Sequence, residues 1–392
     1  MPKADRRVYL DSAATTLQDA RVTDAMADVA RRQLGNASSI HALGVEAAVI
    51  VERSRAVIAQ SIGADPSEIV FVSGGTEANA LALLGSCGEA RARKRVIVSA
   101  IEHSSVLATA RFLEERLGLE VVKAPVDAEG HVRLDALSRL LTPEVILCSI
   151  MHANNEVGSI QDIRAIAELA KAAGALFHVD ACQSFTKTPL DVRAVPADLV
   201  TLTAHKIHGP RGVGALYVRA GTRLAPLFHG GGQENGLRSG TLNTEGIAGF
   251  AEAVRIARDE DVHRMEKLRD RLIHRVLEAV PGSRLNGPPG GSGTGRLCSN
   301  ASFSFGGVSA KRILFELDRA GFSVSAGSAC SSGSTTPSHV LLAMGLSEEA
   351  ALGSIRVSLS RLNAVDEIDS FVLRLAAAVE RERHEHAPNA SL

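Results

Sequence analysis

From residue 69 onward, short apolar runs alternate with stretches whose apolar residues recur at helical spacing. IVFV at 69–72 precedes a glycine turn and the helical pattern TEANALALLG. RVIVSA at 95–100 precedes a helical pattern reaching residue 117. EVILCSIM at 144–151 precedes IQDIRAIAELAKAAG, and ALFHVDA, ADLVTLTA and GALYV follow as further apolar runs. Strands that alternate with helices predict an α/β fold, a mostly parallel sheet with helices on both faces. Ligands of such sheets bind at the carboxyl ends of the strands. Residues 244–280 carry one long helical pattern.

After the Gly/Pro-rich NGPPGGSGTG at 286–295 the pattern changes. NASFSF reads as a strand, SAKRILFELDRAG as a helix, PSHVLLAMG as a helix, SIRVSLS as a strand, and residues from 366 as a last helix. This predicts a smaller α+β domain. The expected division is a large domain over residues 15–260 and a small one built from 1–14 and 261–392. The helical residues 20–60 are expected to pack against the small domain, and the terminal RERHEHAPNASL to fray.

Composition narrows the function. Of 392 residues, 45% are hydrophobic and 22% charged, so the chain can bury a sizeable core. The formal net charge is −1 and no long basic run occurs, so a direct nucleic-acid partner is not expected. With no Trp and two Tyr, a base-stacking surface has little to be built from. The start, MPKADRRVYLDSAATT, has no apolar leader, and no stretch reaches membrane-spanning length. A soluble, cytoplasmic protein without a membrane partner is the expectation. The N-x-S triplets at Asn36, Asn300 and Asn389 carry no weight in that setting. The five cysteines are odd in number and none forms C-x-x-C, which argues against a disulfide framework and a zinc site. His205 and His208 have no accompanying acid or cysteine cluster, so no metal is expected.

Several polar clusters follow the predicted strands. Ser73, Gly74, Gly75 and Thr76 open a helix, where free amides, a hydroxyl and the helix dipole make a phosphate cradle or simply a capped turn. Asp180 ends one apolar run, and His205 and Lys206 follow the next. Singly these read as a cap and surface charges. Together, a strand-end Asp, a strand-end Lys and an upstream cradle suit pyridoxal 5'-phosphate. The lysine would form the Schiff base, and the aspartate would pair with the protonated ring nitrogen. His103 could stack on the ring or face solvent at a helix start.

With these motifs on the page, the chain resembles the cysteine desulfurases of the NifS/IscS-like group, in class V of the pyridoxal-phosphate aminotransferases (fold type I). The likeness runs from YLDSAATT at residue 9 to SIRVSLSRLN ending at Asn363. Between them, in the family's order, stand GNASSIH, FVSGGTEAN, Glu102-His103, NNEVGSIQ, FHVDACQ, TAHKIHGPRGVGALY, GGGQENGLRSGTLN and GSACSSG. The resemblance implies that Lys206 is the Schiff-base lysine and Asp180 the ring-nitrogen partner. It implies phosphate binding by Gly75, Thr76, Thr203 and His205, and a hydrogen bond from Gln183 to the ring oxygen. His103 would stack on the ring and move protons. Asn155 would contact cofactor and substrate, and Arg356 would pair with the substrate carboxylate. Thr241 would reach the phosphate of a second subunit, so a homodimer is expected.

Cys330, in the Gly/Ser/Thr run at 325–339, would be the nucleophile. It would take sulfur from L-cysteine as a persulfide, leave L-alanine, and pass the sulfur to an acceptor protein, an iron–sulfur scaffold or a thiolation enzyme. A run with few apolar anchors would let one sulfur reach both the cofactor and the acceptor. Cys87, Cys148 and Cys182 read as packing, with Cys182 close enough to Asp180 to line the pocket. The chain departs from common family patterns at Ala37, Thr203, His208 and Ser360, none of which removes a reacting group. Competing readings are a selenocysteine lyase or another class V enzyme, and a non-catalytic scaffold that docks sulfur acceptors.

Overall fold

The computed structural model describes residues 7–32, 34–89, 93–326 and 336–386. In chain order the fold runs β1 (Val8–Tyr9), α1 (Ala20–Arg31), α2 (Ala42–Ser61), β2 (Ile69–Val72), α3 (Gly75–Glu89), β3 (Arg95–Ser99), α4 (Ser104–Leu117), β4 (Glu120–Ala124) and α5 (Leu134–Leu140). Next come β5 (Val145–Met151), α6 (Ile163–Ala172), β6 (Leu176–Asp180), β7 (Leu199–Thr203), β8 (Gly214–Val218), α7 (Thr244–Arg255) and α8 (Asp259–Ala279). The chain continues through β9 (Ser283–Asn286), β10 (Asn300–Phe305), α9 (Ala310–Arg319), β11 (Phe322–Ser323) and β12 (Ser325–Ala326). It closes with α10 (His339–Ala343), α11 (Glu348–Leu352), β13 (Ser354–Ser358) and α12 (Val365–His386).

A seven-stranded sheet has the order β2-β8-β7-β6-β5-β3-β4. Only β8 runs against its neighbours. The expected mostly parallel α/β sheet is therefore present. Its central strands are mostly apolar because helices cover both faces, while the edge strand β4 exposes Glu120 and Lys123. Side chains alternate between two cores: Ile69 and Phe71 of β2 enter one, Val70 and Val72 the other. The carboxyl ends of β3, β5, β6 and β7 lie along one edge, and the turn after β2 joins them there.

A four-stranded antiparallel sheet, β12-β13-β10-β9, forms a second layer with α8, α9 and α12. The chain's beginning joins it: β1 pairs with β11, Asp11 bridges Ser358, and Leu10 enters the core of this second sheet. No helix among the described residues is long and apolar enough to cross a membrane.

Three expectations need correction. Residues 20–60 do not pack on the C-terminal part; α1 and α2 lie on α7, and Val22, Val51 and Ile58 belong to the first core of the large sheet. The long helical pattern at 244–280 is two helices. Arg258 is extended, with φ −135°, and three acids, Asp259, Glu260 and Asp261, open α8 where the helix dipole favours them. Phe250 of α7 serves the large-sheet core and Leu272 of α8 the small one, so the break lets one chain feed two cores. Of the terminal RERHEHAPNASL, residues 381–386 belong to α12, which continues to His386, and residues 387–392 lie outside the described residues. Val379 is buried, the buried Glu382 accepts from Ser309 N, and Arg383 Nη1 donates to Pro281 O at 2.8 Å.

Candidate active site

The strand ends of the large sheet open onto a cavity of about 370 Å3. On its floor, Asp180 is the last residue of β6 and is buried. Its Oδ1 accepts from Cys182 N at 2.9 Å and its Oδ2 from Asn79 Nδ2 at 2.8 Å. Asn79 lies one turn along α3 from Gly75, so the helix period puts both on the cavity face. Asn79 Nδ2 also donates to Ser105 Oγ at 2.9 Å. Ser105 closes the chain: its Oγ lies 2.8 Å from His103 Nδ1, and its amide donates to that nitrogen at 3.2 Å. His103 thereby caps α4 and, when neutral, carries its proton on Nε2. One hydrogen-bonded network thus joins Asp180, Asn79, Ser105 and His103.

Gly75 begins α3 against β7. A Cβ at Gly75 would lie 2.7 Å from Cys182 Sγ, so only glycine fits there. Thr76 follows on the same rim. Thr203 ends β7, and its Oγ1 is buried without a hydrogen-bond partner among the described residues. A 3-10 turn over Ala204–Lys206 then aims His205 and Lys206 into the cavity. His205 Nδ1 sits 3.1 Å from Thr15 Oγ1. Burial, with Lys206 beside it, pushes the His205 imidazole down to about 4, so the ring is neutral at pH 7. Lys206 Nζ donates to the carbonyls of Ala13 and Ala14. Burial first, and the charge of Arg356 second, push its ammonium down to about 8.

The far wall comes from the small sheet. Arg356 of β13 is 1% exposed, yet its guanidinium reaches the cavity. Its Nη2 donates to Asp11 Oδ1 at 2.7 Å and its Nη1 to Asn155 O at 3.2 Å, while Nε has no partner among the described residues. Asn155 and Gln183 complete the lining, with Gln183 Nε2 donating to Ala13 O at 2.9 Å. Below His103, the carboxyl of Glu102 is wholly buried. It accepts from Ser99 Oγ at 2.5 Å and Met151 N at 2.8 Å, and burial pushes it up to about 8.

Of the residues singled out from sequence, Gly75, Thr76, His103, Asn155, Asp180, Gln183, Thr203, His205, Lys206 and Arg356 share this cavity. Thr241 does not line it. That residue lies in the segment 229–241, which rims a separate hollow of about 490 Å3. Cys330 lies outside the described residues. Cys182 lines the main cavity, while burial keeps Cys87, Cys148 and Cys298 in the thiol form. Asp11, Asn79 and Ser105 were not singled out. Asn79 carried a usable signal, one helical turn after the glycine cradle. Asp11 carried none, because its partner is most of a chain length away.

Comparison with known proteins gives this geometry a family. The model for class-V aminotransferases matches residues 8–371. The cysteine desulfurase IscS of Dictyoglomus turgidum is 43% identical over 382 residues, covering 96% of each chain. A solved structure titled NifS-like protein has a TM-score of 0.88 at 37% identity, covering 96% of this chain and 100% of the other. A second, titled SspA in complex with cysteine, has a TM-score of 0.80 at 34% identity, covering 91% and 99%. The match spans both sheets and the strand ends where Asp180, Thr203 and Lys206 meet, and the chain belongs to the class-V aminotransferase family.

Proposed function

We propose that the site of this chain removes sulfur from L-cysteine and leaves L-alanine. The chain is a cysteine desulfurase, in keeping with relatives near 40% identity over almost their full length. The observation that carries the reading is the meeting, in one cavity, of the Lys206 amine, the Asp180 carboxylate and the Arg356 guanidinium.

The family's cofactor is pyridoxal 5'-phosphate, and the residues present suit it. The unpartnered Thr203 Oγ1 and the Gly75 cradle at the head of α3 fit a phosphate. The buried Asp180 carboxylate fits a protonated ring nitrogen, with His103 on the wall and Gln183 beside it. Lys206 would hold the group covalently. When bound, the cofactor serves as an electron sink for the amino acid's Cα.

The remaining steps belong to the protein. Arg356 and Asn155 receive and orient the substrate carboxylate. The Lys206 amine, once free of its proton, takes the Cα hydrogen. Its depressed pKa makes that base available near neutral pH. The thiolate of Cys330 attacks the substrate sulfur. An S–S bond forms as the Cβ–S bond breaks, and the electron pair left on Cβ takes a proton, giving alanine. Sulfur stays on Cys330 as a persulfide for delivery to an acceptor protein, an iron–sulfur scaffold or a thiolation enzyme.

Two facts support the role of Cys330. The described residues before and after it adjoin the site: Ser325 is in register with Arg356, and His339 Nε2 lies 3.0 Å from Glu102 O. Burial also holds every described cysteine above its ordinary thiol pKa. Cys330→Ser should keep the cofactor and bind cysteine but form almost no alanine, since a serine hydroxyl cannot store a persulfide. Alanine formation measured with and without a reductant tests this. Turnover near the wild-type rate would refute the mechanism. Comparing L-cysteine with L-selenocysteine as alanine source separates a desulfurase from a selenocysteine lyase.

A further inference from the structure

We propose that Asp11 is a positioning residue for the substrate carboxylate: it fixes the Arg356 guanidinium and limits that group's grip on the carboxylate. The inference rests on the reading of Arg356 as the carboxylate receptor. Asp11 is itself held firmly. It bridges Ser358, two residues beyond Arg356 on β13. Ser358 N donates to Leu10 O at 2.8 Å, and Ser12 N to Ser358 O at 3.1 Å. Ala13 N donates to Ser358 Oγ at 2.8 Å. The carboxylate that meets Arg356 is therefore carried on the same strand pairing as the arginine.

The donor count of the guanidinium sets what remains for a ligand. Nη2 is directed at Asp11 Oδ1 and Nη1 at Asn155 O, both acceptors of the protein. Nε is buried and has no acceptor among the described residues. Each terminal nitrogen keeps a second N–H, and these are the donors an incoming carboxylate can take. With Nη2 tied to Asp11, the plane of the group is fixed before the ligand arrives. The same contact has a second effect. A carboxylate that reaches Arg356 also meets the negative charge of Asp11. Substrate cysteine and product alanine carry the same carboxylate, so a stronger grip would bind both equally and slow release without lowering the chemical barrier.

The two effects separate by substitution. Asp11→Asn keeps an acceptor and removes the charge; Asp11→Ala removes both. The holoenzyme is titrated with L-alanine and with ethylamine, which is alanine without its carboxylate, and the cofactor spectrum reports binding. The alanine-to-ethylamine affinity ratio should rise about fivefold in Asp11→Asn, the size expected of one nearby charge in a partly screened site. It should fall back to the wild-type ratio or below in Asp11→Ala. For L-cysteine, Asp11→Asn should lower KM without raising kcat. A ratio within twofold of wild type in Asp11→Asn overturns the proposal, and so does an equal rise in both variants. An unchanged cofactor spectrum and melting temperature in each variant show that the fold is intact. If wild-type enzyme forms no alanine from cysteine, the functional reading fails, while the titration still tests Asp11 against a carboxylate.

Discussion

At the scale of single residues, the site is governed by what burial does to charge. Among the described residues Lys206 forms no ion pair; its hydrogen bonds go to the carbonyls of Ala13 and Ala14. Desolvation disfavours the ammonium, and nearby Arg356 adds to the effect, so the group needs little energy to become a neutral nucleophile. His205 shifts the same way and stays neutral beside it. Lys206→Ala should abolish covalent attachment of the cofactor, so borohydride treatment should leave no reduced adduct on the protein. A mapped adduct at Lys94, Lys123 or Lys171 would show that another amine holds it. Glu102 shifts oppositely, held as the neutral acid by its burial. Between the ordinary carboxyl value of about 4.3 and the folded value, the folded chain keeps a proton that the unfolded chain releases. The stability that Glu102 contributes therefore falls as pH rises from about 5 to 8. Glu102→Gln keeps the shape and cannot ionise. Its unfolding free energy relative to wild type should improve by roughly 1–3 kcal/mol over that interval. Equal slopes in urea unfolding at pH 5 and pH 8 would show that Glu102 is not protonated in the fold.

At the scale of elements, the head of α3 decides whether an anion can approach. The helix starts at Gly75, against β7, with Cys182 Sγ filling the space a side chain would need. Gly75→Ala should weaken cofactor binding by about tenfold, within the 1–3 kcal/mol that overpacking costs. Gly75→Ala combined with Cys182→Ala should recover most of that loss, because the obstructing sulfur is gone. Fluorescence or absorbance titration of the cofactor-free protein measures both. If the double variant binds no better than the single one, the clash is not the cause. The same helix accepts a strut from elsewhere: Arg238 Nε donates to Glu77 Oε1 at 2.9 Å, and Glu77 Oε2 accepts from Ser73 N at 2.8 Å.

At the scale of the whole molecule, polar side chains that donate to distant carbonyls help to join the parts of the fold. Arg296, buried and without a carboxylate partner among the described residues, donates to Pro288 O, Val157 O and Asn286 O at 2.6–2.8 Å. It thereby ties the small sheet to the loop that carries Asn155. The segment 229–241 is pinned from two sides: Arg238 pairs with Glu77, and Glu234 forms a buried two-pronged pair with Arg55 at 2.7 and 2.8 Å. Phe71 N adds a third bond to Glu234. A segment so anchored can present Thr241 to a second copy of the chain. If Thr241 completes the partner's phosphate site, dilution that separates the subunits should release cofactor, and Thr241→Val should weaken its binding by about tenfold, in line with a lost bond to a charged group. A fully loaded, active monomer by light scattering would refute the dimeric site.

The alternation of apolar runs and helical patterns determined six of the seven strands of the large sheet, because a strand covered on both faces is apolar along its length, while β4 at the sheet edge escaped it since Glu120 and Lys123 interrupt its apolar run. It also determined that Asp180, Thr203 and Lys206 fall at strand ends, where parallel sheets leave room for ligands. Sequence periodicity did not reveal the break at Arg258, since the spacing of apolar residues continues through it while the core they serve changes. Nor did it reveal Asp11 as the partner of Arg356, 345 residues away. Local pattern specifies which face of an element is apolar; it carries no record of which distant polar groups will close one another's hydrogen bonds. The fixed guanidinium and the carbonyl seats of Lys206 exist only once the two sheets are brought together, and the network from Asp180 to His103 only once α3 and α4 pack on the large sheet.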